Sequence, residues 1–593
     1  MEDTMAHLLE KAVISNFKSI DKLEISLQHY NVMVGYNNAG KSNILKAISW
    51  LFKKSNLGIE YFNETTKQVS VEGIITGVDE SIMSRLVTNQ ATAMQHYIKN
   101  SKLIIRRIQD SPKSSPKLQV LLENPDDGNS EWRDPPTGLE AGISLLFPEP
   151  IFINAMEDAA EDSSKYKTST TIGKLLSSIF TTIQNEYVDT INQAFSSFQD
   201  LFCSSGTNRI KELVTFDDDV SRVISTFFPG LSIKAQIPEI EFKEILKSAT
   251  ISTFEEGDSN GKDISLLGHG AQRAIQMGLI KYLADQKRSH GTITNNTLLL
   301  VEEPELYMHP QAIDNVRDAL MSLSNAGFQV LISTHSPRLV TKDDVRTTIL
   351  VTKLNNHTRI RKTLLEAVSE VEKKAPTQLD LLFQLSNSSN ILFSDRVLLI
   401  EGDTEYWIFE KMFEKVIGKP LSFYKTSIVK LRGCGDIKKT KEVLRVMDVP
   451  CKAIADLDFA FHTGKQQGLI SDSHQDYQAC KIAFQTLAND PKNRITLDNS
   501  GWPCKNDHRT AEEMYEILGN TKSILESIEG IHNHYKDQNI WVWKHGSFDV
   551  YLGLKSKNSE QWENMLEDLE KKPLENCLHY HQEVMDCMKW LIE

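Results

Sequence analysis

The stretch Gly35 to Ser42, GYNNAGKS, has the residue types and spacing to grip a triphosphate. Gly35 and Gly40 let backbone N–H groups turn toward phosphate oxygens, Lys41 reaches the β- and γ-phosphates, and the Ser42 hydroxyl can hold Mg²⁺. Asn37, Asn38 and Asn43 supply the remaining polar lining of that loop. Two carboxylates, Glu302 and Glu303, end the apolar run TLLLV. Glu302 is a candidate to hold Mg²⁺ directly or through water, and Glu303 to orient or deprotonate an attacking water. His335 follows a second apolar run, FQVLIST, where an imidazole can hydrogen-bond a γ-phosphate. Gly268 and Gly270 stand before a helical pattern beginning near Ala271, and the free N–H groups of a helix N-terminus suit an anion.

A separate group of acids lies further along. Glu401 follows RVLLI, Glu405 comes one helical turn later, and Asp456 and Asp458 follow CKAIA. Hard oxygen ligands without thiols favour Mg²⁺ or Mn²⁺ over zinc. Such acids repel one another unless a cation is bound, and a pair of ions there would activate water on one side of a phosphodiester and stabilise the leaving oxygen on the other. Between these acids runs YKTSIVKLRGCGDIKKTKEVLR, whose Lys425, Lys430, Arg432, Lys438 and Lys439 are candidates to track a phosphate backbone.

Periodicity gives the elements that carry these residues. AVISNF, LEISLQ and YNVMVGYN read as strands, and Ile44, Leu45, Ile48, Leu51 and Phe52 fall at helical spacing. The phosphate loop therefore joins a strand to a helix. Further strands are predicted at 70–78, 102–109, 118–123 and 150–155, with 110–142 as loops between strands. A helical face runs through 171–202, to be buried within its domain or on a dimer partner, and a linker is expected around 365–390. Because side chains alternate along an extended chain, Asp456 and Asp458 are expected to point the same way.

At 593 residues the chain exceeds one core, and roughly two to four domains are expected. No uninterrupted apolar run is long enough for a membrane span, so no membrane partner is expected. Seven scattered cysteines without a CxxC suit a reducing cytosol. The net charge of −14 argues against non-specific coating of nucleic acid and leaves local basic patches as the only means of binding it.

The first set of motifs resembles the ATPase heads of the ABC class, in the branch shared by recombination, structural-maintenance and OLD (overcoming lysogenization defect) proteins. Glu-Gly after one strand and Asp-x-Asp after another resembles a Toprim domain. The resemblance implies an α/β chain in four parts. These are an ABC-type ATPase N-terminal lobe over 1–155, a helical insertion or dimerisation arm over 156–240, an ATPase C-terminal lobe over 241–385, and a Rossmann-like Toprim domain with C-terminal helices over 390–593. It implies ATP sandwiched between two heads, with Lys41, Ser42, Glu302, Glu303 and His335 of one facing Gly268 and Gly270 of the other, hence a homodimer or higher assembly. It gives Glu401 a catalytic as well as a metal-holding role, and maps a catalytic lysine and a further acid onto Lys544 and Asp549. One Mg²⁺ is expected with ATP and two ions with the Toprim acids. The implied activity is ATP-regulated, metal-dependent DNA endonuclease action in a prokaryotic or phage setting, in phage defence or DNA processing, beside a helicase or reverse transcriptase in some systems. A nucleotide-gated DNA clamp that does not cut, a nuclease effector held silent by a partner, a topoisomerase- or primase-like enzyme and an RNA nuclease remain open as alternatives.

Overall fold

The computed structural model describes residues 7–123, 130–136, 138–147, 150–155, 190, 193, 196, 199–235, 252–254, 257, 261–289, 297–341, 344–371, 389–554 and 557–593. Most of the helical stretch expected over 171–202 lies outside the described residues, as does most of the stretch read as a linker. The chain forms two compact units, residues 1–30 with 42–334, and residues 31–41 with 335–593.

In the first unit an antiparallel sheet runs in the order Ile20–Ser26, Leu8–Phe17, Val69–Thr76, Lys102–Gln109, Lys117–Glu123, Ser130–Arg133. The helix Lys41–Phe52 buries Ile44, Leu45, Ile48 and Leu51. Gly73 admits it, since a Cβ there would meet the Leu51 side chain at 2.5 Å. Arg107 reaches across to donate its Nε to the Leu51 carbonyl at 2.9 Å, satisfying one acceptor at the helix end. Three parallel strands, Ile151–Ile153, Leu298–Glu302 and Gln329–Thr334, make a second layer. Leu298 to Val301 are wholly buried, as a strand covered on both faces requires. The helix Pro310–Asn325 links the last two, with Pro310 in its first turn and Ile313, Val316, Ala319, Leu320 and Leu323 buried.

The described residues of 110–142 hold more regular structure than their Pro, Ser and Gly content suggests. Ser130–Arg133 adds an edge strand, with Trp132 stacked under the Arg106 guanidinium at 4.2 Å. Leu139, Ile143 and Leu146 then bury one face of a short helix, Leu139–Leu146.

In the second unit Tyr30–Val34 pairs in parallel with Ile349–Leu354, which turns back through Asn355 and Asn356 into His357–Arg361. Both asparagines hold positive φ, 49° and 65°, as a tight hairpin needs. The expected linker opens with a helix, Leu364–Val371, because Leu364, Ala367 and Val368 find burial against the helix Ile437–Val446. A second sheet, all parallel, has the order Thr426–Lys430, Arg396–Ile400, Cys451–Ala455, Ile540–Val542. Its core joins Leu398, Ile400 and Ile454 to Phe409 and Phe413 of the helix Asp403–Ile417, to Trp541 and Trp543, and to Met588 and Leu591 of the last helix, His581–Ile592. The residues after Trp562, which carry no readable chemistry, thus close one face of the sheet.

One polar clamp in the first unit is open to test. The pairing of Leu8–Phe17 with Val69–Thr76 slips at Leu9, and the buried Gln329 side chain takes both main-chain groups there, accepting from Leu9 N at 3.0 Å and donating to Leu9 O at 2.8 Å. Gln329→Leu keeps the volume but orphans both groups. It is expected to cost about 2 to 4 kcal/mol, read as a lowered urea midpoint for the transition of this unit.

Candidate active site

The phosphate loop is seated by contacts that only glycine allows. At Gly35 (φ 154°) a Cβ would sit 2.1 Å from the Val351 carbonyl oxygen, and at Gly40 (φ 109°) 2.0 Å from the Thr358 hydroxyl. Thr358 donates to the Ala39 carbonyl at 2.9 Å, so both ends of the loop rest on the hairpin 349–361. Asn38 takes the positive φ, 65°, tolerated by asparagine. Buried Lys41 donates Nζ to the carbonyls of Gly35 at 2.8 Å and Tyr36 at 3.1 Å, and lies 2.8 Å from Nε2 of His335. The structure therefore brings His335 to Lys41. Ser42 and Asn43 open the helix Lys41–Phe52.

In the first unit Glu302 ends its strand buried, with Oε2 3.4 Å from the Ala155 N–H and Oε1 making no hydrogen bond among the described residues. Glu303 holds φ 42°, a left-handed conformation costly for a glutamate, with its N–H on Ser333 O at 2.8 Å. Arg273 spans the turn, donating to the carbonyls of Glu302 at 2.7 Å and Asn154 at 3.1 Å. The helix predicted to begin near Ala271 begins at His269, which puts Gly270 inside its first turn; a Cβ on Gly270 would meet the Tyr307 carbonyl at 2.6 Å. A buried carboxylate oxygen without a donor fits a cation there. A divalent ion bound in the first unit would be held by Glu302, and phosphates bound at the loop of the second unit by Lys41.

In the second unit the parallel sheet collects acids at its carboxyl edge, around a cavity of about 770 Å³. Glu401, Glu405, Asp456 and Asp549 line it together with Lys430, Arg432 and Lys557. Glu405 folds back against its own backbone so closely that a Cβ on Gly402 would meet its Oε2 at 2.3 Å. Burial lifts the Glu405 carboxyl to about 7, helped by the charges of Asp549 and Glu401. Burial also lifts Asp456, with Glu405, Asp458 and Glu401 adding to it. Glu401 is raised by burial and by Asp458. Asp456 accepts from Phe548 N at 3.1 Å, and Asp549 accepts from the Thr404 hydroxyl at 2.7 Å.

Among the described residues no three His, Cys, Asp or Glu side chains stand close enough to grip an ion as placed. The set nonetheless fits divalent cations in kind, being hard oxygen donors whose mutual repulsion lifts their protonation.

Several expected residues fall elsewhere. The strand ends at Ala455 and Asp456 caps the helix Leu457–Phe461, so Asp458 lies in a helical turn and the alternation argument does not apply. Asp458 reaches the group through its effect on Glu401 and does not line the cavity. Lys544 does not line it either; it pairs with Glu529 at 2.7 Å and lies 4.0 Å from Glu583. Lys557, which no motif marked, does line it, 3.1 Å from Asp549 and 3.3 Å from Glu512. Burial opposes its charge, but Asp549 and Glu512 raise its pKa above the usual lysine range. Trp562 was missed too; its indole donates to the Thr404 hydroxyl at 3.2 Å. Among the basic candidates Lys430 and Arg432 line the cavity, while Lys438 donates to the Gln467 carbonyl at 2.6 Å and Lys439 is exposed. Lys425 precedes the strand that Lys430 ends, roughly 16 Å away along it.

Fold and acids together define a phosphate-loop ATPase joined to a Toprim-type, metal-dependent phosphodiester-cleaving domain. Two family models match the chain: "AAA domain, putative AbiEii toxin, Type IV TA system" over residues 30–341, and "Overcoming lysogenization defect protein-like, TOPRIM domain" over residues 392–458. The Old nuclease of Escherichia phage P2 is 35% identical over 98% of this chain and 99% of its own length. Endonuclease GajA of Bacillus cereus (strain VD045) is 24% identical over 68% of this chain and 67% of its own. A solved SMC head bound to the C-terminal winged-helix domain of ScpA aligns with 60% of this chain and 99% of its own at 14% identity and a TM-score of 0.36. The chain belongs to the OLD nuclease family.

Because the folded chain raises Glu405 from 4.5 to about 7, the metal-free fold favours the neutral carboxyl. That contribution is complete below the unfolded carboxylate range and is lost as pH climbs through about 7. The apparent melting temperature of chelator-treated protein is therefore expected to fall between about pH 5 and about pH 8, with added Mg²⁺ restoring more at the higher pH. Equal Mg²⁺ stabilisation at both ends would contradict this account of the cluster.

Proposed function

We propose that the chain is an ATP-binding ATPase and divalent-metal-dependent DNA endonuclease. The observation that carries it is the convergence of Glu401, Glu405, Asp456 and Asp549 with Lys557 at one cavity on the carboxyl edge of the parallel sheet. Divalent ions bound among these acids, two in this reading, supply Lewis acidity toward the scissile phosphate. Glu401, whose proton affinity is raised by burial and by Asp458, accepts the proton of the attacking water at its carboxylate. The Lys557 ammonium offsets charge gathering on the phosphate, and Lys430 and Arg432 hold neighbouring phosphates at the rim.

At the phosphate loop, Lys41 grips the β- and γ-phosphates, His335 reports the γ-phosphate, and Glu303 orients water for hydrolysis. The four-part organisation read from the sequence, a homodimer in which Gly268 and Gly270 of one head cap the nucleotide of the other, and a cytoplasmic role in phage defence or DNA processing belong to the same reading. Family membership supports them. Among the described residues no helix is long and apolar enough to cross a membrane.

The test is cleavage of supercoiled and linear DNA with Mg²⁺ or Mn²⁺, with and without ATP, beside Asp456→Ala. Metal-dependent cutting that vanishes in Asp456→Ala and Glu401→Ala is expected. A protein that binds DNA but never cuts would instead be a nucleotide-gated clamp.

Two lysine variants separate the candidates for charge neutralisation. Lys557→Ala is expected to slow cutting about 100-fold or more at unchanged DNA affinity, whereas Lys544→Ala lowers stability and leaves the rate within about threefold. Single-turnover cleavage checks this. On the ATPase side, Lys41→Ala is expected to abolish nucleotide binding, and Glu303→Gln to retain ATP without hydrolysing it.

A further inference from the structure

Within the second unit one side chain of the phosphate loop leaves the loop altogether. Between the two ends fixed on the hairpin, Gly35 against Val351 and Ala39 on Thr358, the segment Tyr36 to Asn38 has no such clamp. Tyr36 sends its ring to the start of the acid-bearing sheet. Its hydroxyl donates to the Phe393 carbonyl at 3.3 Å and reaches the Asp395 carboxylate, while Lys425 Nζ stands 4.2 Å over the ring and 3.2 Å from Asp395.

Lys425 is itself a junction. It holds φ 53°, a left-handed conformation, and its carbonyl accepts from Asp395 N at 3.0 Å and Arg396 N at 3.2 Å. It therefore joins the starts of two paired strands, Arg396–Ile400 and Thr426–Lys430. The same strands end at Glu401 and at Lys430, in the wall of the acid cavity. Paired strands in a close-packed core pass strain along their length, here roughly 16 Å.

The other end of this chain of contacts touches the nucleotide. Tyr36 O and Gly35 O are acceptors for the Lys41 ammonium. Phosphate oxygens that draw this ammonium away would leave the Gly35 carbonyl without it and the Tyr36 carbonyl with the Ala39 N–H alone, at 3.1 Å, which loosens the hold on the Tyr36 peptide. A cavity of about 500 Å³, lined by Tyr36, Asn37, Asn38, Arg361, Asp395 and Lys425 among others, gives the ring room to follow.

We propose that Tyr36, held by Asp395 and Lys425, is a positioning residue through which phosphate binding at Lys41 sets the placement of Glu401 and Lys430. This rests on the nuclease reading for its consequence, and its mechanical part stands apart from that reading. The sign of the effect on cutting depends on which loop state aligns Glu401.

The test uses full-length protein and Asp395→Asn, which keeps size and removes the charge that holds both Tyr36 and Lys425. Hydrogen exchange by mass spectrometry is followed over 396–401 and 426–432, with and without ATP, beside ATP affinity and cleavage rate. In the wild type ATP is expected to change exchange in both strands and to alter cleavage about fivefold or more. In Asp395→Asn, ATP affinity and cleavage without ATP stay within about twofold of wild type, while both responses to ATP disappear. Full responses in Asp395→Asn, or wild-type strands indifferent to saturating ATP, would overturn the proposal. A wild type whose strands respond but which cuts no DNA would sink the nuclease reading and leave the relay standing. Should Asp395→Asn fail to fold, Tyr36→Phe, which loses only the hydroxyl, serves with the same exchange readout; an undiminished change in both strands overturns the relay, and a reduced one supports it.

Discussion

Repulsion among buried carboxylates is the constraint around which the second unit is built. Burial raises Glu401, Glu405, Asp456 and Asp458 toward the neutral form, and neighbouring carboxylates add to it: Asp458 on Glu401, Glu401 and Asp549 on Glu405, Glu405, Asp458 and Glu401 on Asp456, and Glu512 on Asp458. A fold holds such a set only if the rest of the domain over-determines it. It does so by ending two adjacent parallel strands at the same level and anchoring the helices beyond them. Gly418 closes the helix that carries Glu405, at φ 78° with its N–H on Glu414 O, and the Trp541, Trp543 and Trp590 indoles lock the sheet to the last helix. The cationic rim of Lys430, Arg432 and Lys557 is the electrostatic complement, concentrated where a chain of net charge −14 can best use it.

The phosphate loop obeys a different constraint, steric where the other is electrostatic. Two glycines are pressed onto a hairpin with no space for a side chain, so the two ends of the loop are set before any ligand arrives, while the Tyr36 to Asn38 segment between them keeps its freedom. Preorganisation of this kind lets binding energy go into holding phosphates instead of ordering backbone. Lys41 shows the same economy, with its ammonium already gathered among two carbonyls and His335.

What was legible in the sequence was local. An apolar run that stops at an acid, as at Val301–Glu302 and Ile400–Glu401, specifies a buried strand and the residue at its mouth in one stroke. Glycine spacing specifies the loop for the same reason. What was not legible depended on where the chain returns. Lys557 reaches Asp549 from a polar stretch with no periodicity, and Trp562 reaches Thr404 from a helix whose sequence reads as an ordinary amphipathic one. Lys544 stood at a strand end and fitted the pattern, yet the acids Glu529 and Glu583, supplied by two other helices, hold it away. Asp458 was assigned by a strand rule although the strand had already ended at Ala455.

Asp549 shows how these constraints meet. Its Oδ1 is fixed by the Thr404 hydroxyl and its Oδ2 by Lys557, so an ion seeking this carboxylate competes only for the second oxygen. The Thr404 hydroxyl is itself held by the Trp562 indole, which keeps the carboxylate plane in place during the exchange. Were a divalent ion to take Oδ2, Lys557 would lose that partner and meet added positive charge, both favouring a phosphate as its next one. An ion bound at Oδ2 would thus compete with the lysine for the same oxygen, and the freed ammonium would be available to a phosphate. An exposed segment suits such a lysine, because its side chain keeps the freedom to change partners that a core position would deny.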